Sequence, residues 1–138
     1  MPRIIAVDFD GTIVEHRYPK IGALLPDCVR VIRRMKNAGF TLILLTMRSD
    51  YGPDGPMLSQ AVDFCRNLGI EFDFVNNNPL QLSWTTSRKV YAHLYIDDAA
   101  LGCPLQARSS GGGIKRPADW ISIESALQYW CEERGVKF

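Results

Sequence analysis

Asp8 and Asp10 close the apolar run of "IIAVDFDGTIVEH", residues Ile4 to His16, and Asp97 and Asp98 close that of "LYIDD". Side chains alternate along a strand, so residues i and i+2 point the same way. At the carboxyl end of a strand this aims Asp8 and Asp10 toward one crevice. If the two strands are neighbours, three or four carboxylates converge, and their repulsion is costly unless a cation or protons neutralise it. Either pair alone would suit an acidic turn or a helix N-cap, where aspartate is common. Both ending apolar strands of one chain point instead to a metal site. Oxygen ligands without Cys or His favour a hard ion, and magnesium with retained waters fits best.

Magnesium beside carboxylates suits phosphoryl transfer, in which charge must be offset and an attacking oxygen aligned. One carboxylate can act as nucleophile, forming an aspartyl-phosphate that water later hydrolyses. Another, two residues on, can protonate the leaving oxygen and then activate that water. A hydroxyl and a cation are also wanted for the phosphoryl oxygens. Thr46 ends the run "LILLT" and Lys89 shortly precedes the "YIDD" run. Gly11 and Thr12 make the tight turn after Asp10, where glycine lets the backbone approach whatever fills the crevice. Further candidates for gripping a substrate are Glu15, His16 and Arg17 after that turn. Arg48, two residues past Thr46, suits either a grip on a phosphate or carboxylate of the substrate or the ion pair of a loop arginine.

These residues must be held by a sheet. "RIIAVDF" (Arg3 to Phe9), "FTLILLT" (Phe40 to Thr46) and "AHLYID" (Ala92 to Asp97) are continuous apolar runs, as in strands covered on both faces of a parallel sheet. "IEFDFVN" (Ile70 to Asn76) alternates more and is expected nearer an edge. Between them the period becomes helical: Val29, Ile32 and Met35 after Pro26 and Asp27; Leu58, Ala61, Val62, Cys65 and Leu68 before Gly69; Ile123, Ala126, Leu127 and Trp130 before Gly135. Strands alternating with helices give an α/β fold, a three-layer Rossmann-like domain with a central parallel sheet. The glycine- and proline-rich stretches 49–57 and 102–117 are loops at strand carboxyl ends, where open α/β sheets usually build their sites. The triple glycine 111–113 lacks the phosphate-loop spacing and is expected to be a flexible loop.

The chain has 138 residues, 46% hydrophobic, enough for one domain with its own core spanning 1–138. A formal charge of +1 gives no electrostatic reason to expect a nucleic-acid or anionic-membrane partner. The basic run "RVIRRMK" falls on a helical pattern and is expected on a solvated face. Four cysteines at 28, 65, 103 and 131 form no CxxC pair, so neither a disulfide framework nor structural zinc is signalled. No apolar segment approaches the roughly 20 residues needed to cross a bilayer, and no signal peptide is evident, so a soluble cytoplasmic protein is expected.

The pattern resembles the haloacid dehalogenase (HAD) superfamily, mostly magnesium-dependent phosphatases. "DFDGTIV" is similar to that superfamily's first motif, DxDGT after an apolar strand; "LLT", Lys89 and "YIDD" resemble its second, third and fourth, in the same order. The resemblance implies a HAD-like hydrolase with Asp8 as nucleophile and Asp10 as general acid and base. It implies magnesium held by the Asp8 carboxylate, the Asp10 carbonyl and Asp97, with Asp98 helping. Thr46 would hydrogen-bond the phosphoryl group and Lys89 would neutralise it, Arg88 and Lys115 being other cations for that role. The intervals between motifs leave no room for a large cap domain. An open, capless site implies either a macromolecular phosphoester or a small one enclosed by the neighbouring subunit of a homo-oligomer, a phosphorylated small molecule being the favoured partner. The rival readings are a non-catalytic module binding magnesium and a phospho-ligand, and a polynucleotide-end phosphatase, against which the near-neutral charge weighs.

Overall fold

The computed structural model describes residues 2–108 and 115–138. The triple glycine 111–113 lies outside the described residues. Strand β1 (Ile4–Val7) is followed by helix α1 (Cys28–Asn37), β2 (Thr41–Leu44), α2 (Met57–Asn67), β3 (Phe74–Val75), a 3-10 helix (Pro79–Ser83), β4 (Leu94–Ile96) and α3 (Trp120–Glu133). The strands form one sheet in the order β3-β2-β1-β4, all neighbours parallel. The alternating segment therefore does form an edge, and the most apolar run lies at the centre. Val7 is level with Leu44 on one side and with Ile96 on the other. The carboxyl ends of β1, β2 and β4 thus finish at one height. From β1 the chain proceeds to β2 on one side and later to β4 on the other, so a crevice opens at the carboxyl ends where the connections diverge.

Alternation divides the core. Ile5, Val7, Leu42, Leu44 and Ile96 form one cluster with the buried faces of all three helices: Val31, Ile32 and Met35 of α1, Ala61 and Cys65 of α2, Ile123 and Leu127 of α3. The opposite face presents Ile4, Ala6 and Ile43, which meet Ala92, Val90 and Tyr91 from the connection between β3 and β4. That thin third layer is ordered by two buried amides. Asn78 donates to the Tyr91 carbonyl, and Gln81 donates to the carbonyls of Ser87 and Lys89 while accepting the Tyr91 amide. These bonds satisfy backbone groups that a sheet or helix would otherwise pair.

Helix α3 starts at Asp119, whose carboxylate accepts the Ser122 amide. The basic residues of α1 are not merely solvated. Arg30 and Arg34 both reach Glu124 of α3, and Lys36 reaches Asp73. Cys28, Cys65 and Cys131 are buried free thiols, and burial pushes the ordinary thiol value of each upward. No helix among the described residues is long and apolar enough to cross a membrane.

Candidate functional site

The amide of Asp8 donates to the carbonyl of Ile96, extending the β1–β4 ladder one residue past the strand. The chain then folds sharply, with the amides of Thr12 and Ile13 both donating to the Phe9 carbonyl. Gly11 sits at φ 79°, and a Cβ there would collide with the His16 ring and the Asp98 carboxylate. Only glycine fits both the left-handed backbone and the space. The indole of the buried Trp120 donates to the Thr12 carbonyl at 2.6 Å, so α3 supports this turn from below.

Asp8, Asp97 and Asp98 each bring a carboxylate oxygen to within 4.8 Å of the others. Thr12 organises them: its hydroxyl lies 3.3 Å from Asp8 and 3.0 Å from Asp98, and accepts the Asp98 amide at 3.0 Å. His16 Nε2 lies 2.9 Å from the other Asp98 oxygen. Burial, then the neighbouring Asp97 and Asp98 charges, push the Asp8 carboxyl up to about 8; the Phe9 amide offsets this only in part. Three carboxylates this close share protons or a cation, and an all-oxygen donor set suits a hard divalent ion. A cavity of about 650 Å3 opens elsewhere, beside α1 between Leu24 and Asn37, and none of these carboxylates lines it.

Asp10 stands apart from that trio. Arg48 grips both of its oxygens, Nε to Oδ2 at 2.9 Å and Nη2 to Oδ1 at 2.8 Å. The Arg48 side chain is fully buried, so its donors are spent inside the protein and do not face a substrate. Of the two roles the sequence leaves open for Arg48, the fold selects the ion pair. Thr46 lies at the carboxyl end of β2, its amide donating to Asn76 and its hydroxyl accepting the Arg48 amide. Arg17 is exposed on the segment between β1 and α1, donating to the His16 carbonyl.

Lys89 does not join the cluster. Its Nζ stands 6.0 Å from the centre of the Tyr95 ring, and it is not among the groups that act on Asp8. The physical reason is the third layer: Gln81 holds the Lys89 carbonyl in the connection that crosses the far face of the sheet. Arg88, the nearby alternative, shares that exposed connection. Three contributors carry no motif in the sequence. Asn76, at φ 51° just past β3, steadies Thr46. Trp120 reads as core and yet supports the turn. Cys103 is half-buried close enough to Asp97, Asp98 and Asp8 for their charges, added to burial, to push its thiol upward.

No family model matches the chain, and no curated protein does. A solved structure, that of a conserved protein from Bacteroides thetaiotaomicron, is 33% identical and superposes with a TM-score of 0.70, covering 94% of this chain and 92% of that one.

Proposed function

The chain belongs to one family with that conserved Bacteroides thetaiotaomicron protein, and from its acidic crevice we propose that it is a HAD-like, magnesium-dependent phosphomonoester hydrolase that acts through Asp8. The observation that carries this reading is the convergence of Asp8, Asp97 and Asp98 within 4.8 Å, with a fourth carboxylate, Asp10, two residues away in a different electrostatic setting. Two aspartates held so differently suit two chemical roles.

Asp8, Asp97 and Asp98 would hold the magnesium, which when bound offsets charge on the transferring phosphoryl group. An Asp8 oxygen attacks phosphorus, the ester P–O bond breaks, and Asp10 gives a proton to the leaving oxygen. Water then attacks the phosphorus of the Asp8 adduct, its proton passing to Asp10, and inorganic phosphate leaves. Thr46, at the rim on β2, would donate its hydroxyl to a phosphoryl oxygen. The substrate class is a small phosphorylated molecule.

The grip of Arg48 on both oxygens of Asp10 favours one other reading, a non-catalytic module that binds magnesium and a phospho-ligand. One experiment separates the two: phosphate release from a panel of phosphomonoesters, with magnesium and with chelator, for wild type and Asp8→Asn. Magnesium-dependent turnover lost in the variant is expected. Magnesium binding with no turnover of any panel member would overturn the phosphatase in favour of the module.

A further inference from the structure

Neither reading accounts for the contacts that Arg48 makes beyond Asp10. It lies in the loop after β2 between two exposed residues, with Met47 93% exposed, and yet its own side chain is fully buried. A buried guanidinium is tolerated only when its N–H groups find partners. Two go to Asp10. Nη1 donates to the Pro19 carbonyl at 3.0 Å and Nη2 to the Lys20 carbonyl at 2.8 Å. The rings of Phe9 and Tyr18 lie 5.1 and 5.4 Å from the guanidinium carbon. One cation therefore joins the turn that carries Asp10, the loop that follows β2, and the flap formed by residues 14–24. The flap rests on few other backbone bonds: Glu15 donates to Ala23 at its neck, and Leu25 to Ile13. Between these points Arg48 holds residues 19 and 20 of its tip, while His16 rests on Asp98 and Glu15 on Arg108 nearer the neck.

We propose that Arg48 is a positioning residue that couples the placement of Asp10 to closure of the flap, a role that rests on the phosphatase reading for its chemistry. A planar fork matches a carboxylate bidentately and fixes its direction. Held in this way, Asp10 is aimed in one direction for the second half of the reaction. There the water oxygen bonds to phosphorus and the P–O bond to Asp8 breaks, its electron pair returning to the Asp8 carboxylate. The proton of water goes to Asp10. A p-nitrophenolate leaving group needs no proton, so with that ester the first half does not depend on this direction. Withdrawal of the carbonyls at 19 and 20 takes away half of the partners of Arg48, and so loosens Asp10 when the flap lifts.

The test reads the flap and the two chemical steps separately, on the full chain, with Arg48→Gln, Arg48→Lys, Asp10→Asn and the double variant Asp10→Asn/Arg48→Gln. Native-state trypsin cleavage after Arg17 and Lys20, located by mass spectrometry, reports flap opening. Arg48→Gln and Asp10→Asn are each expected to speed it about tenfold, with the double variant no faster than the faster single one. With p-nitrophenyl phosphate, Arg48→Gln is expected to keep a stoichiometric burst of p-nitrophenolate. Its steady-state rate should fall about 10- to 100-fold, with partial recovery in Arg48→Lys. Arg48→Lys keeps the charge without the fork, and with Asp10→Asn it carries the test should Arg48→Gln fail to fold. Unchanged flap cleavage, or an equal loss of burst and steady-state rates, would overturn the coupling. A wild type inert toward the ester, with the trypsin pattern as expected, would remove the phosphatase reading and leave the clamp standing.

Discussion

Asp8 and Asp10 are two residues apart in one turn and live in opposite electrostatic worlds. Asp8 faces two further carboxylates, and burial together with their charges pushes its carboxyl up to about 8. Asp10 faces a buried guanidinium that contacts both of its oxygens. The difference shows how one short segment can hold an unbalanced carboxylate and a balanced one side by side. An unbalanced cluster is costly until protons or an ion neutralise it, which suits it to binding; a balanced pair is costly to separate, which makes it a fixed support.

The comparison breaks most directly at Asp8. Asp8→Asn is expected to lower magnesium-dependent phosphate release by about four orders of magnitude or more, measured against wild type on the same ester. The same variant tests the electrostatics without any turnover. A carboxyl raised from 3.8 to about 8 on folding means that the native chain binds the extra proton, so its contribution to stability is complete below about 4 and is lost as the pH rises through 8. Urea midpoints of the metal-free protein are therefore expected to fall from pH 4 to pH 8 in wild type. The fall should be smaller in Asp8→Asn, and magnesium should restore the wild-type midpoint most at the alkaline end. A flat profile in wild type would show that the trio is already neutralised.

At Asp10 the expected effect is on the fold. Arg48→Gln leaves a partly buried carboxylate without its partner and is expected to cost about 3 kcal/mol in urea unfolding, much of it recovered when Asp10→Asn is added. Equal costs for the single and double variants would mean that the guanidinium matters for its packing on Phe9 and Tyr18 alone. A smaller effect is expected at His16, which touches the trio from the flap. His16→Gln should weaken magnesium binding about tenfold by calorimetry while leaving the fold intact, since it removes a support of Asp98 and no ligand. At the small end, Glu124→Gln, which removes the charge facing exposed Arg30 and half-buried Arg34, should move urea midpoints far less than Arg48→Gln and leave magnesium affinity within error. That outcome would set the buried pair apart from an ordinary surface one.

Much of this was legible beforehand because it depends on local periodicity. Two of the three continuous apolar runs become the central strands β1 and β2 and the alternating run becomes an edge, whereas the third, β4, takes the other edge with Tyr95 exposed. The pairing of Asp8 with Asp97 follows once β1 and β4 are neighbours. Lys89 shows where that reasoning ends. Its order along the chain suits a cation beside the crevice, but the path of residues 76–93 is set by Asn78 and Gln81, which hold the connection across the opposite face. Arg48 shows the same limit in another way, because a loop arginine fits a substrate or a carboxylate equally well in sequence. Asn76 and Trp120 bear no motif at all and act only through where the fold puts them.

The sequence alone determines the elements, their parallel arrangement and the acidic residues at the ends of two strands, because a strand's alternation and a helix's period are short-range and repeat. Tertiary structure decides which aspartate receives a guanidinium and which faces other carboxylates. That choice is made by flap and loop backbones brought together across 28 and 38 residues of chain, from Lys20 and Asp10 to Arg48. No local pattern encodes the meeting of such segments, because it rests on buried donors finding acceptors only after the core has closed.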